Sequence, residues 1–122
     1  AFEEIVHLIE RNRRDGFFPV ECRQTAGDDA WLSPFQNGPR ISIAVHAYHK
    51  DEYDWFFQHI EPVFRKHGGR PHWGKLHSLR STELRGLYPD FDNFLGIRRE
   101  LDPKGKFLNK HMADLWGEPF EP

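Results

Sequence analysis

Residues 68–77 constrain the fold of this chain more than any other segment, because the helix predicted before them must end there. Its sequence is Gly-Gly-Arg-Pro-His-Trp-Gly-Lys-Leu-His. Gly68 and Gly69 can stop a helix by supplying a positive φ just past the last turn. Pro71 then fixes its own φ and biases Arg70 toward extended geometry. We therefore predict a rigid, extended loop directly after a helix.

Residues of two chemical types flank Gly74 in this loop. His72 offers a titratable donor or acceptor, and Lys75 offers a positive charge. Gly74 lets the backbone approach a flat or bulky ligand closely. A ligand-facing loop explains this composition, but so does a plain connector in which Trp73 fills the core and the cations are solvated. The segment alone leaves both interpretations open.

Length and charge limit the class of protein. The 122 residues suffice for one domain with a modest core. A formal net charge of −2 gives no reason to expect nucleic acid or a membrane as partner, and favours a neutral ligand. Cys22 is the only cysteine and no apolar run is long enough to cross a bilayer, so we expect a reducing, cytoplasmic setting. Because a helical pattern already runs at Ala1, we expect a fragment of a longer protein.

Apolar residues at three- and four-residue spacing predict the helices. They fall at residues 1–14, 51–66, 81–88, 90–102 and 108–116. Asp51 and Asp90 are expected to cap two of them. Pro62 predicts either a kink or a fresh helical start with the proline in its first turn. Phe91, Phe94, Ile97 and Leu101 should form the buried face of the long helix at 90–102.

Alternating polar and apolar residues predict strands at 17–25 and 40–48, with a third short strand possible at 31–34. The apolar face should pack against Phe56, Phe57 and Ile60; it comprises Phe18, Val20, Cys22, Ile41, Ile43 and Val45. The other face carries Glu21, Arg23, Ser42, His46 and Tyr48. The order of elements predicts an α+β fold, with an antiparallel sheet covered by helices on one face and further helices at the C-terminus.

The polar sheet face is a candidate binding surface. Glu21 and Arg23 lie two residues apart on one strand, so their side chains point to the same side. They form either a surface ion pair of little value or a clamp for a polyol or lactone, in which the carboxylate accepts from hydroxyls and the guanidinium donates to ring or carbonyl oxygens. His46 faces the same side. We expect a polar ligand or a second domain to cover this face.

Other chemistries have weaker support. His46 and His49 lie on a predicted strand and at its end, where side chains alternate in direction and do not converge simply on one ion. His67, His72 and His77 have the irregular spacing of a loop, and no known metal-binding motif includes them. The eight histidines therefore predict no metal site. No nucleophile-elbow motif supports Ser/His/Asp catalysis. Gly68 and Gly69 follow a helix rather than opening one, so they do not predict a phosphate-binding loop.

Four motifs, in this order, resemble the C-terminal part of the aldonolactone and alditol oxidases, FAD-dependent enzymes of the vanillyl-alcohol-oxidase superfamily. The motifs are Glu21-x-Arg23, Arg70-Pro71-His72-Trp73-Gly74-Lys75, Leu87-Tyr88-Pro89 and Leu101-Asp102-Pro103-x-Gly105-x-Phe107-x-Asn109. The resemblance spans nearly the whole chain. It implies that residues 1–122 form a single substrate or cap domain, with the N-terminal FAD-binding domain outside this sequence.

The resemblance also implies site residues. Glu21 and Arg23 match a pair that holds substrate hydroxyls, and Lys75 matches a lysine between substrate and flavin; these three are the catalytic candidates. His72 matches a flavin-contacting position, and His46 is a candidate wall of the substrate site. The implied reaction oxidises a CH–OH group of an aldonolactone of the D-arabinono- or L-gulono-1,4-lactone type, or of a sugar alcohol such as xylitol or sorbitol, and passes electrons to O₂ or another acceptor.

Two other functions remain as alternatives. One is a non-catalytic carbohydrate-binding or interaction module that keeps the fold without a flavin partner, and a remote one is a metal hydrolase that uses the histidines. If the resemblance holds, the isolated fragment is expected to bind FAD only weakly and to have no oxidase activity.

Overall fold

The computed structural model of the chain describes residues 1–12, 19–48, 50 and 52–120. Its elements, in chain order, are α1 (Phe2–Asn12), β1 (Glu21–Thr25), β2 (Arg40–Ala44), a π-helical segment (Phe56–Ile60), α2 (Glu61–Lys66), α3 (Ser81–Leu87), α4 (Phe91–Leu101) and α5 (Lys110–Trp116). The predicted α+β architecture is confirmed. Phe18, His49 and the expected cap Asp51 lie outside the described residues.

The sheet is an antiparallel hairpin of β1 and β2. Cys22 lies opposite Ile43, and Arg23 lies opposite Ser42. The side chains alternate between the faces as predicted, and Ile43 packs against the helices. The predicted burial of Cys22 and Ile41 is wrong, since both are exposed. The apolar cluster beside the hairpin takes in Ile43 and Val45, at the end of β2 and just after it, but neither Cys22 nor Ile41.

A compact turn replaces the possible third strand at 31–34. The carboxylate of Asp28 accepts hydrogen bonds from Ser33 Oγ (2.6 Å) and the Ala30 N–H (3.1 Å). Leu32 has a φ of 58°, in the left-handed region, which no strand residue adopts. These local side-chain bonds hold the backbone in a turn, so the expectation of a strand is wrong.

The helix around Pro62 combines features of the two predicted arrangements. Pro62 lies in the first turn of α2, as in the second of them, but Ile60 and Glu61 keep helical dihedral angles, so the helical run does not start afresh there. The π-helical segment precedes it and leads directly into α2. At the other end, Gly68 has a φ of 64° and the Gly69 N–H donates to Phe64 O over 2.8 Å, so the predicted helix stop is confirmed.

Two apolar clusters form the core. The smaller one joins α1 to the helices around Pro62 through Ile5, Ile60 and Val63. The larger one lies under α3, α4 and α5, and it comprises Leu32, Leu79, Leu84, Tyr88, Phe91, Leu95 and Leu115. No helix in the described part of the chain has the length and apolar character that crossing a membrane requires.

Two expectations for α4 are wrong. Ile97 and Leu101 are exposed, because the covered face of the helix runs from Phe91 and Leu95 to the largely buried side chains of Arg98 and Asp102 instead. Asp90 does not cap α4 with its side chain. Its two carboxylate oxygens instead accept hydrogen bonds from Gln36 Nε2 (2.6 Å) and Asn93 Nδ2 (3.0 Å).

Candidate functional site

Arg70 ties the start of the 68–77 loop to the body of the domain. Its Nε donates to Leu87 O over 3.0 Å, and its Nη1 donates to Gln36 O over 2.9 Å. The guanidinium lies 5.0 Å from the centre of the Tyr88 ring. Burial, followed by the nearby positive charge of Arg40, lowers the pKa of Arg70. Arg70 is therefore an anchor that faces inward, and it is not available to a ligand.

Trp73 forms a second anchor three residues later. Its Nε1 donates to Leu32 O over 2.8 Å, and its ring centre lies 5.0 Å from that of Tyr88. His111 Nε2 lies 3.2 Å from Trp73 O, to which it can only donate. Tyr88 OH donates to Pro71 O over 3.3 Å, and burial raises the pKa of Tyr88 to about 12, so the phenol stays a donor. The side chains of Tyr88 and His111 thus hold the loop backbone by hydrogen bonds at Pro71 and at Trp73.

The turn of residues 72–75 projects from these anchors. The side chains of His72 and Lys75 are both exposed, and the Lys75 N–H donates to His72 O over 3.0 Å, which closes the turn. The Gly74 N–H donates to His72 Nδ1 over 3.0 Å. Because Nδ1 accepts this bond, the neutral ring carries its proton on Nε2. The turn therefore presents one N–H donor and one ammonium group, neither of them bonded to another described side chain.

Glu21 and Arg23 form an ion pair on the polar face of the hairpin. Arg23 Nη2 donates to Glu21 Oε1, and both side chains remain largely open to solvent. His46 and Tyr48 follow β2 and are exposed as well. The fragment's own helices leave this face uncovered, as the clamp interpretation requires.

One end of the hairpin's polar face adjoins the base of the loop. Arg40 begins β2 opposite Thr25, on the same face as Arg23. Arg40 Nη2 and Arg70 Nη1 both donate to the carbonyl oxygen of Gln36, at 3.4 and 2.9 Å. The structure thus brings together Glu21 with Arg23, and separately His72 with Lys75. Within the described residues, no hydrogen bond or ion pair joins the two pairs.

The histidines that the structure describes do not gather around a metal position. Across the described residues, no three His, Cys, Asp or Glu side chains approach closely enough to hold a metal ion. His67 instead lies 3.2 Å from Glu4 Oε2, and burial lowers the pKa of His77. His49, which we considered with His46, lies outside the described residues.

The sequence pattern of the D-arabinono-1,4-lactone oxidase family matches residues 1–115, and so includes both pairs. The chain belongs to this family. The chain is 36% identical over 117 residues to an L-gulono-1,4-lactone dehydrogenase of Mycobacterium tuberculosis, covering 96% of this chain and 27% of that protein. It is 38% identical over 122 residues to an L-gulonolactone oxidase of Bos taurus, covering 95% of this chain and 28% of that protein.

A third relative is named for a different substrate class, the alditols. The chain is 36% identical over 114 residues to an alditol oxidase of a Streptomyces species, covering 84% of this chain and 26% of that protein. The chain thus spans about a quarter of the length of the relatives it matches. The predicted family is confirmed. The match to its C-terminal region is confirmed as well, and in the relatives this region belongs to a chain about four times as long.

Sequence patterns alone did not reveal the two anchors. Arg70 and Trp73 were noted in the loop, but their partners are main-chain carbonyls of residues 32, 33, 36 and 87. A carbonyl has no signature in the sequence, because every residue carries one. The sequence signalled a fixed backbone only through the glycines at 68 and 69 and through Pro71, and none of these points to the carbonyl partners.

Proposed function

We propose that this chain forms the substrate-side part of an FAD-dependent oxidoreductase that oxidises a CH–OH group of an aldonolactone or a sugar alcohol. The observation that carries the proposal is the anchored turn of residues 72–75, which presents an N–H donor and a cation that bond to no side chain among the described residues. The names of the relatives support the substrate class, since they include gulonolactone enzymes and an alditol oxidase.

The chemistry of this turn fits the electron-rich edge of a flavin. His72 Nε2–H can donate to a carbonyl or ring nitrogen, and the charge of Lys75 stabilises negative charge nearby. When bound, FAD would accept a hydride from the substrate carbon. The anchoring of Pro71 and Trp73 matters here, because an electrostatic group stabilises a transition state only if it is held in place beforehand.

Glu21 and Arg23 are proposed to bind the substrate. An exposed ion pair contributes little to stability, so substrate groups can replace its internal bond at small cost. Glu21 then accepts from sugar hydroxyls, and Arg23 donates to a ring or carbonyl oxygen. Because both side chains extend from one strand, their spacing is fixed by the backbone rather than by a mobile loop. His46 borders the same face and would form a wall of the site.

Lys75 is proposed to act at the reacting centre. Loss of a hydride from the carbon becomes easier as the hydroxyl proton leaves, so a cation beside that oxygen stabilises the developing negative charge. Among the described residues, no side chain pairs with the ammonium group of Lys75 and would compete with the substrate for it. Lys75 thus holds charge at the reacting oxygen, while Glu21 and Arg23 orient the rest of the substrate.

The test uses the full-length protein that contains this chain, with Lys75→Met, Arg23→Lys and the control Lys110→Met. Lys110 is exposed, and its ammonium group pairs with Asp114 of α5 rather than with a residue of the 68–77 loop. Flavin reduction is followed anaerobically after mixing with L-gulono-1,4-lactone or xylitol. We expect Lys75→Met to slow reduction about a hundredfold or more. Arg23→Lys keeps the charge but loses the planar fork, so saturation should shift to higher substrate concentration and turnover should also fall.

The same experiment separates the alternatives. Reduction at the wild-type rate in both variants, with unchanged substrate saturation, contradicts the site assignment. A full-length protein that purifies without flavin and still binds sugars would instead favour a non-catalytic binding module. Reoxidation by air compared with reoxidation by a dye then identifies the electron acceptor.

A further inference from the structure

The end of α4 and the turn after it expose an unusual amount of apolar surface. Leu101 is 81% exposed and Phe107 is 92% exposed, and Ile97 lies one helical turn before Leu101 on the same side of α4. We call Ile97, Leu101 and Phe107, together with the exposed Phe120 of the C-terminal segment, the C-terminal apolar surface. Ile97 and Leu101 lie beside the covered face of α4, which runs from Phe91 and Leu95 to Arg98 and Asp102.

The exposure of Phe107 is built into the turn. Both oxygens of the Asp102 carboxylate accept main-chain bonds, from the Lys106 N–H (2.8 Å) and the Phe107 N–H (3.0 Å). These bonds, together with the charge of Arg98, lower the pKa of Asp102, although its partial burial acts the other way. The carboxylate therefore stays ionised and keeps the turn closed. The backbone thus holds Phe107 outward.

A cavity of about 460 Å³ lies beside this surface, between α4 and the C-terminal segment. Phe120, Leu108 and Pro119 line it, together with Arg98. Lys104 lines it as well and carries its available positive charge, since Arg98 is already paired with Glu118, with Nη2 donating to Oε2 over 3.0 Å. A cavity that combines apolar walls with the charge of Lys104 suits a protein segment that brings apolar side chains and a carboxylate.

We infer that the C-terminal apolar surface docks against the part of the full-length protein that lies outside this chain. The relatives contain that part, since the chain matches only 27% of the Mycobacterium tuberculosis protein. An apolar face with a neighbouring cavity is typical of the buried centre of an interface, and it is costly to leave in water. This inference concerns the packing of the domain, and it does not depend on the proposed reaction.

The charges around the surface argue against a second copy of the same face as the occupant. Lys104 and Lys106 flank the surface, and neither forms an ion pair with a described residue. In a two-fold dimer the same patch meets itself, and the two lysines of each copy outnumber the neighbouring carboxylate of Glu100, so positive charge would accumulate at the contact. The occupant is therefore expected to carry apolar side chains at its centre and carboxylates at its rim.

Hydroxyl-radical footprinting of the full-length protein tests the inference directly, because it reports the solvent access of single side chains. Phe107 and Leu101 should be labelled about tenfold more slowly in the folded protein than in the same protein unfolded in urea, as for residues at the centre of an interface. Phe107→Ser should speed the labelling of Leu101, whereas Phe107→Leu, which keeps an apolar contact, should leave it slow.

Two results would overturn the inference. The first is labelling of Phe107 in the folded full-length protein at nearly the unfolded rate, which would mean that the surface stays open. The second is protection that disappears when sedimentation shows a dimer dissociating on dilution, since this would assign the surface to a second copy.

Discussion

Nε1 of Trp73 donates a hydrogen bond to the carbonyl oxygen of Leu32 over 2.8 Å, between residues 41 positions apart in the chain. Leu32 itself has a φ of 58°, a conformation that costs roughly 1–2 kcal/mol for a residue with a Cβ. The bond joins the 68–77 loop to a turn that carries this strain. Each segment therefore depends on the other for its conformation, and the turn that presents His72 and Lys75 depends on both.

Trp73→Phe should lower the free energy of unfolding by about 1–3 kcal/mol more than Trp116→Phe. Both tryptophans are partly buried against the larger core, so both changes remove similar ring volume. The indole nitrogen of Trp116, however, has no hydrogen-bond partner in the described part of the chain, whereas that of Trp73 bonds to Leu32. Urea unfolding measures the difference in the free energy of unfolding, provided that this free energy has the same dependence on urea concentration in both variants. Equal losses in the two variants would show that the Leu32 bond contributes nothing.

Gly74→Ala should leave the thermal unfolding midpoint of the chain unchanged or slightly higher. A Cβ at position 74 would lie 3.5 Å from the His72 ring, an ordinary contact, and alanine reduces the entropy of the unfolded chain. Gly69→Ala is the contrasting variant, because its Cβ would lie 2.9 Å from the Phe64 carbonyl oxygen, and it should lower the midpoint. If the Gly74→Ala protein is stable but no longer reduces its flavin, glycine is required at position 74 for the close approach of a ligand and not for folding.

The helices followed from local sequence, but the extent of their burial did not. The spacing of Phe91, Phe94, Ile97 and Leu101 correctly predicted a helix, because an amphipathic repeat favours that period whatever packs on it. Which face of the helix is covered depends on elements distant in sequence, since Glu118 packs on Arg98 while Ile97 and Leu101 lie beside the covered face. Asp90 shows the same limit, since its preference for a cap position lost to a hydrogen bond from Gln36, 54 residues away.

The site could be predicted as two groups of residues, but not as a geometry. Alternation placed Glu21 and Arg23 on one face, and the structure shows them bonded to each other. The loop was expected to be rigid on the basis of Pro71 and the glycines alone. Its rigidity also comes from Arg70 and Trp73, whose carbonyl partners lie in other segments. The relation of the loop to the hairpin could not be predicted, because it passes through the carbonyl of Gln36 rather than through a recognisable motif.

Glu61→Gln should destabilise the fold at neutral pH by about 1–3 kcal/mol. Burial raises the pKa of Glu61, but hydrogen bonds from the side chain and backbone of Ser78 and from Arg65 outweigh it, so the pKa is lowered below 4.5. The stabilisation is therefore present above about pH 4.5 and is lost as the pH falls through the lower folded pKa. Unfolding curves of wild type and variant should converge in acid. Glu100→Gln, at an exposed site on α4, is the control and should have little effect at any pH.

His77 should make the fold sensitive to acid at a higher pH than Glu61 does. Burial lowers the pKa of His77 below 6.5, outweighing the opposite influence of Glu61, while the nearby His111 and Arg80 lower it further. Because the unfolded chain then binds the proton more tightly, stability is complete above about pH 6.5 and falls as the pH drops toward the folded pKa. His77→Phe keeps a ring of similar size without a titrating group, so its unfolding midpoint should fall less than that of wild type between about pH 7 and 5. His7→Phe, an exposed site on α1, serves as the control. Parallel curves for wild type and His77→Phe over this range would contradict a role for His77 in the loss of stability.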